Sequence, residues 1–178
     1  MNFSQTPIAG AYVIEPKRIE DQRGFFARVL CKAELEEHGL VSNLLQTNMA
    51  LSHRAGTLRG LHFQVPPHAE VKIIRCTKGS VYDVIVDLRR GSPTWKHWFG
   101  VELSEGNRKM LYVPEGCAQG YITLVDDAEI YYHTSAFYCP EAALGVRYDD
   151  PEFGIDWPVD VAVISPQDEK WPDYSEQI

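Results

Sequence analysis

Cysteine is scarce and scattered in this sequence: Cys31, Cys76, Cys117 and Cys139 are the only four among 178 residues, and no two form a C-x-x-C pair. That density excludes a disulfide scaffold, and reduced thiols in a cytoplasmic protein are expected. Long apolar runs are missing too. No stretch approaches the 18 residues of a membrane span, and the first residues carry neither the apolar segment of an export signal nor a twin-arginine. Positive charge is in deficit, with 17 Lys and Arg against 25 Asp and Glu and a net charge of -8. A field of that sign argues against nucleic acid or an anionic membrane as partner, while a few convergent arginines can still hold a small anion. Internal repeats, low-complexity tracts and Gly/Ser linkers are also absent, so residues 1–178 read as one domain with ample core.

Helical periodicity is nearly absent. The one good stretch is 32–38, with Ala33, Leu35 and three glutamates, closing at Gly39 where a left-handed cap costs least. Val- and Ile-rich runs at 71–76 and 81–88 flank Thr77-Lys78-Gly79-Ser80 and read as a hairpin. Further short strands are expected at 11–14, 98–103, 110–113, 120–124 and 129–134, each bounded by turn-forming residues. Many short strands in one domain predict an all-β sandwich or barrel. In the 81–88 run, Tyr82, Val84, Val86 and Leu88 take one face, and Asp83 and Asp87 share the other with Val81 and Ile85. An aspartate among apolar neighbours is either solvated on an outer face or held inside for a reason.

The run 58–64 places Arg59 and His62 three apart on an extended segment. Odd spacing sends them to opposite faces unless a bulge at Gly60 reunites them. The segment 113–120, with Pro114, Gly116 and Gln119, together with the region from Gly60 to Gly79, resembles the two signature motifs of cupins, small double-stranded β-helix or jelly-roll domains. Metal-binding cupins carry H-x-H with a following glutamate in the first motif and a histidine closing the second. Here Gln64 and Gln119 stand at two of those positions, and an amide oxygen is a poor substitute for imidazole nitrogen. No metal is expected, which argues against a cupin oxygenase. The remaining His38, His53, His68, His97 and His133 show no i, i+4 pairing.

A more specific resemblance spans Arg23 to Asp168. Its blocks are Arg23-Gly24-Phe25-Phe26, Gln46-Thr47-Asn48, the 58–64 run, Lys72-Ile73-Ile74-Arg75-Cys76, the 84–93 run around Asp87 and Arg89, and Val113-Pro114-Glu115-Gly116. Tyr132, Tyr138, Pro140, Asp150-Pro151, Ile155-Asp156-Trp157-Pro158, Ser165 and Asp168 complete it. The chain resembles the dTDP-4-dehydrorhamnose 3,5-epimerase family of sugar-nucleotide epimerases. The resemblance implies a cupin jelly roll with short peripheral helices, a homodimer, and a reaction without cofactor. Protons next to the C4 ketone of a nucleotide-linked 6-deoxyhexose are removed from one face and replaced on the other. Such a reaction needs a base, a group that steadies the enolate, and an acid on the opposite face. By resemblance His62 is the base, Asp168 orients it, Lys72 steadies the enolate and Tyr132 is the acid. Arg59 engages the anionic part of the substrate, and Arg23, Phe26, Gln46, Asn48 and Tyr138 contact the nucleotide.

The departures from that pattern shape a further expectation. Arg28 stands where a glutamate is usual, and an arginine suits acceptor edges such as those of cytosine or guanine, so CDP or GDP is expected in place of dTDP. Gln119 replaces a histidine and is expected to bind without carrying a proton. Ala50, His133 and Ala136 replace residues that are commonly Ser, Lys and Asp or Asn. Lost polar groups would suit a sugar lacking one hydroxyl and a single-centre epimerase. The ordinary dTDP-linked double epimerase and a catalytically silent sugar-nucleotide-binding cupin are the alternatives.

Overall fold

The computed structural model describes residues 1–174. Along the described chain run β1 (Asn2–Gln5), β2 (Tyr12–Glu15), β3 (Arg18–Asp21), β4 (Gly24–Ala27), α1 (Lys32–Glu37), β5 (Gln46–Ser52) and β6 (Thr57–Gln64). They are followed by β7 (Lys72–Lys78), β8 (Ser80–Asp87), β9 (Trp98–Ser104), β10 (Met110–Val113), β11 (Cys117–Thr123), β12 (Ala128–Thr134), β13 (Ala143–Gly145) and β14 (Val163–Ile164). One six-stranded sheet has the order β1-β2-β10-β7-β12-β5, and the opposing sheet runs β13-β6-β11-β8-β9 with β14 laid parallel on β6. Strands β3 and β4 form a separate two-stranded hairpin. The result is the all-β jelly roll of a cupin.

Alternation along the strands explains the two layers. From β8, Val81 and Ile85 point between the sheets and pack with Ile74, Leu103, Leu111 and Ile130. Val84 and Val86 point outward, beneath Val146, Phe153 and Tyr174 of the C-terminal segment. Likewise β7 sends Ile74 and Cys76 inward and Ile73 outward, where it packs with Leu35 of α1. That helix ends as expected, with Gly39 at φ +68° and the Leu40 N–H returning to the Leu35 carbonyl. The four cysteines are unpaired, and burial pushes the Cys117 thiol up to about 12. No described helix is long and apolar enough to cross a membrane.

The expected hairpin of 71–76 and 81–88 does not form. Strand β7 pairs with β10 and β12 in one sheet, while β8 pairs with β9 and β11 in the other. Both strands are buried for most of their length, so each needs neighbours along both edges and a cover on either side. Crossing between layers at Gly79, φ +75°, provides this for both.

Neither aspartate of β8 is solvated, since both are 0% exposed. Asp87 receives the Arg89 guanidinium at 2.8 and 2.7 Å, the Ser92 hydroxyl at 2.5 Å and the Thr94 hydroxyl at 2.7 Å. Burial would raise its pKa, but these donors overcome it and hold the carboxyl at about 2. The network pins the loop between β8 and β9. Relative to the 3.8 of an ordinary aspartate, that shift corresponds to roughly 2 kcal/mol of stability. Because folding lowers this pKa, the contribution is complete above about 3.8 and disappears as pH falls through about 2. Urea titrations should show Asp87→Asn less stable by about 2 kcal/mol or more at neutral pH, with the gap closing as the pH is lowered towards about 2.

Candidate active site

At one end the space between the sheets is filled by the apolar core, and at the other it opens as a cavity of about 800 Å³. Its walls come from β5, β7 and β12 on one side and from β6, β11 and β13 on the other, closed by residues 163–171. The inward positions that would carry core residues here carry Asn48, His62, Lys72, Gln119 and Tyr132.

A bulge sets the β6 wall. Tyr121 faces Arg59 and Gln119 faces His62, so two steps on β11 match three on β6. Gly60 takes the extra residue at φ +122°, and a Cβ there would stand 2.5 Å from the Gly120 Cα. Arg59 and His62 therefore line the same cavity. Arg59 is steadied by the Ser52 hydroxyl and the Leu51 carbonyl, each at 3.2 Å.

Nε2 of His62 lies 2.6 Å from Asp168 Oδ1. A carboxylate only accepts, so in the neutral ring Nε2 carries the proton and Nδ1 is left with a free lone pair. Asp168 opens a short 3-10 turn and also accepts from the Gly60 N–H at 3.3 Å and the Trp171 indole at 3.2 Å. Burial works to raise its pKa, and the hydrogen bonds from His62, Gly60 and Trp171 prevail, holding the carboxyl below the usual range. Trp171 lies edge-on to the His62 ring at 6.3 Å, in space that a side chain at position 145 would fill.

Across the cavity, Lys72 is 8% exposed and donates to the His62 carbonyl at 3.1 Å while pairing with Glu70 at 3.3 Å. Tyr132 stands on the neighbouring strand β12. Its pKa is raised by burial first and by the Glu70 charge next, with Arg59 opposing. Gln119 directs Nε2 at both oxygens of Asp83, 3.1 and 3.0 Å away, which turns its amide oxygen away from that carboxylate. Burial pushes Asp83 up to about 7, with Gln119 and Lys72 drawing it down.

Gln46 and Asn48 of β5 line the same cavity, as does Tyr138, whose N–H bonds to Gln46 Oε1 at 2.7 Å. Three expected binding residues are not brought there. Arg23 is bound to Asp21, Phe26 is 68% exposed, and Arg28 pairs with Glu34 at 3.6 Å. All three belong to the β3–β4 hairpin or its exit, and none lines the cavity. Of the departures around the sugar, Ala50 and Gln119 are at the cavity, whereas His133 bonds to Thr47 at 2.8 Å and neither His133 nor Ala136 lines it. Glu70, Asp83 and Trp171 were not singled out for the site from the sequence. The spacing of Glu70 and Lys72, two apart on an extended run, is the signal that places both on one face.

Gln64 donates to the His68 carbonyl, Glu70 and the Phe137 carbonyl and accepts from the Cys139 N–H, so its amide is fully committed. Among the described residues no three His, Cys, Asp or Glu side chains gather as a metal-binding group.

The sequence profile of dTDP-4-dehydrorhamnose 3,5-epimerase matches residues 5–176. The chain belongs to that epimerase family. A dTDP-4-dehydrorhamnose 3,5-epimerase from Methanothermobacter thermautotrophicus is 41% identical over 172 residues, covering 95% of this chain and 92% of the relative. A crystal structure of the family's enzyme from Bacillus anthracis, with TDP and pyrophosphate bound, superposes with a TM-score of 0.93 at 40% identity, covering 97% of this chain and 98% of that one. A dTDP-4-dehydrorhamnose 3-epimerase from Streptomyces niveus is 37% identical over 170 residues, 95% of this chain and 82% of the relative. The family contains both double- and single-centre enzymes at similar distance from this chain, which is itself an isomerase acting on carbohydrates.

Proposed function

We propose that the protein is a cytoplasmic, cofactor-independent epimerase of dTDP-4-keto-6-deoxyglucose, inverting C3 and C5, with residues 1–178 forming one cupin domain. The observation that carries this is the placement of His62 and Tyr132 on opposite sheets, facing one cavity. A sugar lying between them meets a base on one side and a proton donor on the other. Asp168 fixes the tautomer that leaves Nδ1 as base and stabilises the imidazolium after abstraction. The Lys72 ammonium stabilises the enolate oxygen, and Tyr132 returns a proton to the opposite face. The unpaired cysteines support a reducing compartment.

Two features support the dTDP-linked double epimerase over a CDP- or GDP-linked variant. Arg28 lies at the exit of the same hairpin as Arg23 and Phe26 and its charge is already paired with Glu34 at 3.6 Å, so it would meet a nucleotide only from a second copy and does not by itself select another base. Gln119 presents its amide oxygen as the end free of Asp83, so a sugar hydroxyl there retains an acceptor and need not be missing. The retained base, acid and lysine speak against a silent binder. Parallel calorimetric titrations with dTDP, CDP, GDP and UDP should favour dTDP; a tenfold preference for CDP or GDP, about 1.4 kcal/mol, overturns the choice of nucleotide.

The hairpin residues find their use in a homodimer. Ile19, Phe25 and Phe26 are exposed on β3–β4, and Met49 and Leu51 are exposed on the outer face of β5, an edge strand whose inner face lines the cavity. A second copy seated against this edge would cover both apolar patches and carry its own Arg23 and Phe26 to the nucleotide. Light scattering should return twice the chain mass, and a mixture of His62→Asn and Phe26→Ala subunits should regain activity that neither has alone. A fully active monomer would remove the dimer from the proposal.

His62→Asn tests the chemistry. Deuterium wash-in next to the ketone should fall by about 10²- to 10⁴-fold while dTDP binding stays unchanged. Retained exchange would exclude His62 as the base.

A further inference from the structure

The carboxylate of Glu70 has no place in the reaction as so far described. It lies at the Lys72 end of the cavity, with a side chain 11% exposed, and Lys72 beside it is 10% exposed. One oxygen stands 3.3 Å from the Lys72 ammonium and the other accepts from Gln64 Nε2 at 2.9 Å. Gln64 is itself fixed by its bonds to His68, Phe137 and Cys139. The Glu70 carboxylate is thus locked in place by a side chain that cannot turn. Lys72 is caught between that carboxylate and the backbone carbonyl of His62, which leaves its third N–H to a ligand.

A nearly buried ion pair contributes little net stability, because desolvating both charges offsets their attraction. Its effect on neighbouring protons is larger. Tyr132 is held protonated first by burial and second by the Glu70 charge, whereas Arg59 pulls the other way. Lys72, Glu70 and Tyr132 share this end with Arg59 and His62 of β6, Tyr121 of β11 and Asp83 beneath Gln119. Glu70 is the carboxylate acting on Tyr132 there, and Asp83 acts on Tyr121.

We propose that Glu70 is a positioning residue for the epimerisation: fixed by Gln64, its carboxylate anchors the Lys72 ammonium toward the enolate oxygen and sets a negative charge in the cavity that Tyr132 lines. The inference rests on the roles given above to Lys72 and Tyr132. In the step it serves, the Tyr132 O–H bond breaks, a C–H bond forms on the face opposite His62, and the tyrosinate regains its proton from solvent. The negative charge next to the phenol makes the tyrosinate the less stable form, so the proton leaves only for a strong carbon base.

Glu70→Gln removes the charge in a side chain of the same shape that can still accept from Gln64. The alkaline limb of the kcat profile should move to lower pH, and kcat should fall more than KM rises. The 13Cζ resonance of Tyr132, assigned by its loss in Tyr132→Phe, should titrate at correspondingly lower pH in the same variant without substrate. Glu70→Asp, which keeps the charge, should leave the limb close to its original position. An unmoved limb and an unmoved Tyr132 titration in Glu70→Gln overturn the proposal, and so does a Glu70→Asp limb displaced as far as that of Glu70→Gln, which marks a packing effect. If Tyr132→Phe instead leaves the rate and limb unchanged, the acid assignment fails, and the titration of Tyr132 still reports whether Glu70 governs its proton.

Discussion

Where β6 passes β11, the chain has no room for a side chain at Gly60: a Cβ would press on the Gly120 Cα and the Gln119 carbonyl at 2.5 and 2.9 Å. Two glycines in contact let the backbone take the extra residue that turns Arg59 and His62 to one face. The same bulge presents the Gly60 N–H to Asp168, the carboxylate bonded to His62. His62, its carboxylate partner Asp168 and Arg59 therefore owe their places to one backbone event. A regular strand would face Arg59 into the cavity and His62 out of it, and no choice of residues nearby would repair that.

The polar end of the sandwich is costly. It places Lys72, Glu70, Asp83 and Asp168 in positions at most about a tenth exposed, each of which would be more stable as a well-packed apolar residue. The apolar end, with Ile74, Ile85, Leu103 and Leu111 between the sheets, and the two outer layers supply the stability that lets the cavity stay polar. Each of these groups has a fixed partner: Lys72 with Glu70, Asp168 with His62, and Asp83, beneath the cavity wall, with Gln119. Groups so held need little reorganisation when charge develops on a ligand, which is the condition for electrostatic stabilisation of an enolate.

Strands with apolar inner faces were legible from their period, and β10 was placed to the residue. Strand β5 was not foreseen, because it lines the cavity: its inner face is Gln46, Asn48 and Ala50, and its outer face is Met49 and Leu51, an inversion of the pattern that marks a strand. The pairing of β7 and β8 is hidden from the sequence for a related reason. A turn between two apolar runs signals a change of direction but not which sheet the chain returns to. The segment after Gly145 carries little periodic signal, since it is mostly irregular cover for an outer face, yet it delivers Asp168 and Trp171. Resemblance reached Asp168 and not Trp171, which meets His62 only through a contact between distant segments, nor Glu70, whose one signal is its two-residue spacing from Lys72.

The amide at position 119 narrows the chemistry further. An imidazole there would be a second group able to take a proton, but Gln119 carries none, and its nitrogen is spent on Asp83. Asp83 itself is completely buried beneath the amide and does not line the cavity. In the proposed reaction, proton traffic with a bound sugar is then confined to His62 on one sheet and Tyr132 on the other, with Lys72 beside the ketone. C3 and C5 flank C4, so a sugar anchored by its nucleotide and by an oxygen on Lys72 can bring either carbon towards the same base only by turning about the C4–oxygen direction. The proposed inversion of two centres therefore depends less on a second set of residues than on how far a cavity of about 800 Å³ lets the ring turn between one base and one acid.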